Sequence, residues 1–334
     1  REVVHRPSRY TKWVDPQGCN LEQPEILPVY TRIEMGKKNN RSGSSRKKKA
    51  NRPTNEAWNF LPEAGPGCYI VRREQPPSWM LEWEDVDPED FDGEEVPDVA
   101  IDPDEQTLTF CNVDSCTKVA YITVFETKLL GVNEEELALG SSTDNHGVTT
   151  ECATFIVLCP PHVFAHLCVL DVSPDEDVTA IRIESDVQEW QRHPHPNDEH
   201  PLLVGFPLEG GPFLCTQGEN GQLTHFFSGN LHAIDFQCPI GTPLLAVADG
   251  VVLEAKDNNT LTGISVMNLF EWNSILIQVD DEETTDSSSS GPSKAGGPLF
   301  VDYVHIQKSN VQKGDRVTRG QVIGWSGSVG FSPE

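Results

Sequence analysis

The pattern of hydrophobic and polar positions changes twice along this chain. From residue 1 to about 105, apolar residues are scattered among Pro, Asn and charge, with neither helical nor strand periodicity. This stretch is predicted to be largely disordered. Between about Gln106 and Trp190, short runs rich in β-branched and aromatic residues take over: Thr107–Cys111, Val119–Phe125, Thr154–Leu158, Val163–Val169 and Thr179–Ile183. Clusters of Gly, Pro, Asp and Asn separate them, as expected of strands joined by turns. Several such strands with little helix predict a small β-sandwich over 106–190. Gly131 to Gly147 is long for a hairpin loop, and Glu134–Leu139 within it reads as a short helical turn.

After a linker at 191–205, a second β-rich domain is predicted from Phe206 to Glu334. Pro239-Ile-Gly-Thr-Pro243 is turn chemistry, because Pro presets φ and Gly permits positive φ. Asp249-Gly250 ahead of Val251-Val-Leu253 signals a hairpin. Asn273–Val279 and Val301–Ile306 read as strands, and the glycine-punctuated run Gly314–Gly327 suits a heavily turned β-structure. Asp280 to Gly297, acidic and then serine-rich, lies where a short turn would suffice and reads as a disordered surface insertion. The fold class is therefore mainly β: a disordered N-terminal region, a sandwich-like domain and a C-terminal β-domain.

Charge narrows the partners. Lys and Arg number 25 against 52 Asp and Glu, a formal net charge of −27. That balance argues against nucleic acid or an anionic membrane surface, both of which select positive charge. A basic patch between Lys37 and Arg52 and an acidic run from Glu82 to Glu105 are read as solvated segments. No stretch approaches the roughly 18 apolar residues of a membrane span. Nine cysteines are present, and no pair has C-x-x-C spacing. Cys111 and Cys116 enclose four residues, but no second pair answers them, so the cysteines are read as scattered thiols. Compartment and oligomeric state do not follow from these patterns.

Candidate chemistry concentrates after Phe206. His225 or His232, with Asp235 and His305, supplies imidazole nitrogen and carboxylate oxygen, which are standard zinc donors. A catalytic zinc takes three protein ligands plus water, lowers that water's pKa and polarises a carbonyl. His193, His195 and His200 alternate with Pro in the linker, a poor setting for a preorganised site.

Three ordered blocks carry a resemblance: Ala233-Ile-Asp-Phe236 through Pro239-x-Gly-Thr-Pro243 with Asp249-Gly-Val-Val252; Tyr303-x-His305; and Val311-x-x-Gly-Asp-x-Val-x-x-Gly-Gln-x-Ile-Gly-x-Ser-Gly327. Together they resemble the lysostaphin/LytM-type zinc metallopeptidases, many of which cut peptides of bacterial cell walls. The resemblance covers about 130 residues, and the upstream Gln217–Gly221 and Thr224-His225 also look like members with a β-domain ahead of the peptidase. It implies a zinc metalloendopeptidase with a peptide or peptidoglycan-like substrate, Asp235 as a zinc ligand and His305 as the catalytic histidine. The first histidine ligand has two candidates. The commonest family spacing falls on Leu231; His225, ten residues before Asp235, resembles the longer form, and His232 is the alternative. The family also completes its site with an H-x-H after a turn like Ser326–Pro333, and no H-x-H follows Gly327 in this sequence. A fragment of an active enzyme, with the remaining histidines beyond Glu334, and a degenerate peptidase domain acting as a peptide, glycan or protein-binding module are both open. A lipoyl or biotinyl carrier, suggested by the Gly314–Ile323 run alone, lacks a lysine in the required context at Lys256, Lys294, Lys308 or Lys313.

Overall fold

The computed structural model describes residues 65–91, 95–173, 175–190, 204–218, 224–225, 230, 232–280 and 299–332. The basic patch, His193, His195, His200 and, of the Asp280–Gly297 insertion, residues 281–297 lie outside them. No helix among the described residues is long and apolar enough to cross a membrane.

Two stacked sheets form the first unit. In one, the long Thr149–Cys159 strand pairs antiparallel with Lys118–Phe125, which pairs in turn with Ile183–Glu189. The other edge of Thr149–Cys159 carries Gly140–Thr143 on its first half and Cys68–Arg72, in parallel, on its second. The facing sheet is centred on Val163–Asp171, flanked by Thr107–Asn112 and Val99–Ile101 on one side. On the other lie Glu82–Asp85 and, further along, Lys128–Leu130 with Glu136–Leu137. Alternation explains the arrangement: Leu108, Phe110, Ala120, Ile122, Val124, Phe155 and Val157 point inward and are fully buried in one core between the sheets.

This unit begins earlier than the hydrophobic pattern predicts. Cys68–Arg72, Glu82–Asp85 and Val99–Ile101 fall inside the region expected to be disordered, and all three pair with sandwich strands. The acidic run escapes that expectation because its charges have partners. Arg73 donates two hydrogen bonds to the Asp85 carboxylate, at 2.7 and 2.6 Å, and His166 Nε2 lies 3.1 Å from Glu84 Oε2. Trp79 and Trp83 pack on the core from the same stretch. Two local readings also change. Glu134–Leu139 contains the strand Glu136–Leu137 rather than a helical turn. Thr179–Ile183 is not one strand: Thr179 and Ala180 end the 3₁₀ turn Val178–Ala180, where the Asp177 side chain accepts from the Thr179 N–H, and the strand starts only at Ile183.

The second unit packs three small sheets around Ile275, Ile277, Ile306, Val317 and Ile323, all buried. One contains Phe300–Val304, Ser274–Val279, Gly250–Lys256 and Arg316–Val317; another contains Pro243–Leu245, Val322–Ser326 and Ile306–Ser309. Tyr303 ties them together: its hydroxyl donates to Leu245 O at 3.0 Å and accepts from Val247 N at 2.9 Å. The third is the pair Leu214–Gln217 and Asp235–Gln237. Pro239–Thr242 forms the turn its residues predict, with Gly241 at φ +87° and Thr242 N donating to Pro239 O.

The two units share a sheet. Thr262–Gly263 of the second unit pairs with Gly140–Thr143 of the sandwich, and Gly330–Phe331 then pairs in parallel with Thr262–Gly263. Beneath this seam runs a directed chain of buried hydrogen bonds. Val266 N donates to Thr123 Oγ1 at 2.9 Å, Thr123 and Thr154 hydroxyls meet at 2.7 Å, and Thr154 Oγ1 donates to Ile264 O. Since Thr154 spends its proton on Ile264, Thr123 must donate to Thr154. Ile264, Val266, Leu269 and Phe331 cover the outer face of the sandwich sheet at Val119, Tyr121 and Ile156.

Replacing Thr123 by Val removes the acceptor for Val266 N–H and the donor to Thr154 inside a buried seam. We expect a loss of about 1–3 kcal/mol in urea unfolding, with faster amide exchange at 261–269. Unchanged stability and exchange would refute this role for the seam.

Candidate functional site

Asp235 begins the Asp235–Gln237 strand and faces Leu214–Gln217 across the two-stranded sheet, in register with Gln217. A register shift between Cys215 and Gln217 brings the Gln217 side chain, which is buried, onto the carboxylate. Gln217 Nε2 donates to Asp235 Oδ2 at 2.8 Å and to Thr224 Oγ1 at 2.8 Å, while its Oε1 accepts from Thr224 N at 3.1 Å. That grip on Thr224 sets the position of the next residue, His225.

His225 is 2% exposed. Its Nδ1 lies 2.9 Å from Gly218 O and its Nε2 lies 3.1 Å from Asp235 Oδ1. Of the two histidines left open by the sequence, His225 is therefore the one that meets Asp235; His232 sits on an exposed turn three residues before it. Both ring nitrogens of His225 thus face oxygen atoms, a backbone carbonyl on one side and a carboxylate on the other. Burial pushes the Asp235 carboxyl up, but the hydrogen bond and charge of His225, the Gln217 amide and the charge of His305 outweigh it and hold Asp235 below its ordinary value.

His305 joins Phe300–Val304 to Ile306–Ser309 with a left-handed backbone, φ +58°. Such a conformation is uncommon away from glycine and is associated with functional positions. Three neighbours hold the ring. Nδ1 lies 2.8 Å from Val329 O, the Trp272 ring stands edge-on at 5.7 Å, and Gly330 passes so close that a Cβ there would come within 3.3 Å of Nδ1. Loss of solvent lowers the His305 pKa from its ordinary value; Val329 O and Asp235 oppose the shift and His225 adds to it. In its neutral form the ring held this way donates from Nδ1 to Val329 O and keeps a lone pair on Nε2.

The arrangement contains two donors suited to zinc, His225 Nε2 and Asp235 Oδ1, converging from adjacent chain segments. His225 is oriented through a backbone carbonyl and Asp235 through an amide, the outer support that metal ligands usually have. Among the described residues there is no group of three or more His, Cys, Asp or Glu that could hold a metal. The buried thiols do not add to the set: desolvation pushes Cys68, Cys111, Cys159 and Cys168 up to about 12, which disfavours the thiolate a metal needs. Eight cysteines among the described residues are free. Gln217, Trp272 and the Val329 carbonyl are parts of this site that residue-type reasoning passes over. Gln217 carried a hint, since it opens a short polar run just ahead of Thr224-His225.

No protein-family model matches the chain. Curated relatives do. Glycyl-glycine endopeptidase ALE-1 of Staphylococcus capitis is 35% identical over 104 residues, 31% of this chain and 22% of that protein. Lysostaphin of Staphylococcus simulans is 33% identical over 106 residues, 31% of this chain and 17% of that protein. Peptidoglycan DD-endopeptidase ShyA of Vibrio cholerae is 33% identical over 96 residues, 29% and 16% of the two chains. The match thus spans about a fifth of the length of these relatives. A solved structure titled putative peptidase M23 from Pseudomonas aeruginosa is 15% identical and covers 64% of this chain and 78% of its own, with a TM-score of 0.25, at which the comparison decides nothing about the fold. The ordered motifs and these relatives agree: over 31% of its length the chain resembles peptidases of the lysostaphin/LytM type.

Proposed function

We propose that this domain is a zinc-dependent endopeptidase acting on peptidoglycan-like peptides, with His225 and Asp235 as metal ligands. The observation that carries this reading is the apposition of His225 Nε2 and Asp235 Oδ1 at 3.1 Å, each held from behind by a group that leaves the facing atom available. Bound zinc would polarise the scissile carbonyl and activate a water. The donor types and their supports fit that ion, and a third ligand must come from outside the described residues. His305 contributes the proton chemistry. Its Nδ1–H is committed to Val329 O, so Nε2 can take a proton from the attacking water and return it to the leaving amine. The substrate class is inferred from relatives named as glycyl-glycine and peptidoglycan endopeptidases.

A second reading, a peptide- or glycan-binding module without catalysis, is favoured by one observation, the lack of a three-ligand group among the described residues. Hydrolysis separates the two. Incubation of the zinc-loaded chain with oligoglycine and with cross-linked peptidoglycan should release new amino termini, and His305→Ala should lower kcat about 10²–10⁴-fold. Binding without release of amino termini would favour the module instead.

Metal binding gives an independent test. A nitrogen ligand must be free of its proton, so zinc and protons compete for His225 Nε2. Calorimetry in buffers of differing ionisation heat should show about one proton released per zinc, and affinity that rises with pH. His225→Ala and Asp235→Asn should abolish tight binding, Gln217→Leu should weaken it by about 10–100-fold, and His232→Ala should leave it unchanged. Equal loss in His232→Ala, or no proton release, would refute the ligand assignment.

A further inference from the structure

Residue patterns assign no role to the β-sandwich, and its own surface holds no group of metal ligands among the described residues. Its connection to the site is short. We propose that the sandwich is a positioning element of the active site, acting through Phe331 to hold the carbonyl that orients His305. This rests on His305 being the proton-handling residue of the reading above.

The path runs through named contacts. Val329 O accepts from His305 Nδ1, and Val329 is two residues from Phe331. Phe331 is 4% exposed and lies on the sandwich, with its ring edge-on to Tyr121 at 5.8 Å. The backbone between them is fixed from the seam. Thr262 Oγ1 donates to Ser328 O, Gly330 N donates to Leu261 O at 3.0 Å, and Ser332 N donates to Gly263 O at 3.1 Å. Those partners belong to the 260–264 segment, which the sandwich holds in turn. Asn145 Oδ1 accepts from Thr260 N at 2.9 Å and Leu261 N at 3.1 Å, and Ile264 N donates to Ser141 O at 3.3 Å.

The strand that directly follows the His305 acceptor, Gly330–Phe331, is thus the outermost member of the sandwich sheet, beyond Gly140–Thr143 and Thr262–Gly263. Gly330 makes the link tight. Its φ of +102° turns the chain between Val329 and Phe331, and a Cβ would meet Trp272 Cβ at 3.1 Å as well as the His305 ring. A displacement at Phe331 has little slack to absorb it before it reaches Val329 O. Small shifts of a supporting group are enough to lower catalysis, because an imidazole must present one tautomer in one orientation.

The test uses the whole chain and reads His305 directly. In ¹⁵N spectra of imidazole-labelled protein, the wild type should show His305 as the Nδ1–H tautomer. Phe331→Ala should broaden that signal or mix it with the Nε2–H form. Phe331→Leu, which keeps an apolar anchor, should restore most of the wild-type signature. Leu108→Ala, a cavity between the sandwich sheets and away from the seam, should destabilise the fold while leaving the His305 signal unchanged. In turnover assays Phe331→Ala should lower kcat about tenfold with KM nearly constant. A His305 signature unmoved in folded Phe331→Ala, or moved equally by Leu108→Ala, overturns the proposal. If wild-type protein hydrolyses no peptide yet His305 responds to Phe331→Ala, the endopeptidase reading fails and the positioning link stands.

Discussion

The structure depends on a constraint at its centre: the segment from Leu261 to Leu269 buries most of its residues against a sheet, and its backbone amides and carbonyls must find partners there. A buried donor or acceptor without one costs about 1–3 kcal/mol, so an apolar sheet face alone could not receive this segment. Thr123 and Thr154 solve the problem by placing two hydroxyls on an otherwise hydrophobic surface, and Ser142, Asn145 and Asn268 extend the solution to its rim. Hydrophobic burial at Tyr121, Ile156, Ile264 and Phe331 supplies the non-directional attraction, and the hydroxyl chain supplies the register. The two units are consequently held by sheet continuity and side-chain chemistry together.

From that seam the site follows in two directions. One leads through Gly330 and Val329 to His305. The other leads through Asn273, whose amide donates to Asn259 O and to Ile306 O, the carbonyl just after His305. His225 and Asp235 are organised separately, on the short two-stranded sheet where Gln217 binds both the carboxylate and the residue before the histidine. The candidate site is therefore assembled from two separately supported halves, one holding His225 and Asp235 and one holding His305.

How much of this was legible before the structure depends on the kind of information each feature needs. The strands Thr107–Asn112, Lys118–Phe125 and Ser274–Val279 announce themselves through β-branched runs, because local propensity and tertiary burial agree there. Glu82–Asp85 does not, since its strand is stabilised by Arg73 and His166 from elsewhere in the chain and its own residues favour solvent. Asp235 and His305 stand within distinctive motifs, and the sequence favours His225 over His232 by spacing alone, whereas its 3.1 Å approach to Asp235 depends on how a loop returns to a strand. The Val329 carbonyl was invisible in principle: every residue has one, and only the fold decides which points at an imidazole.

The long reach of the seam has a consequence for how the molecule forms. Val266 and Thr123 are 143 residues apart in sequence, and Asn268 and Ser142 are 126 apart. Contacts so distant pay loop-closure entropy before they return any stabilisation, which places them late on a folding route. Gly330–Phe331 is later still, because it pairs in parallel with a two-residue strand that has no extended partner until Gly140–Thr143 is in place. A nascent chain therefore passes through a stage with a finished sandwich, a bare Tyr121 face and no oriented His305. On such a route His305 gains its Val329 partner only once the seam has closed, and until then the apolar Tyr121 face is open to aggregation.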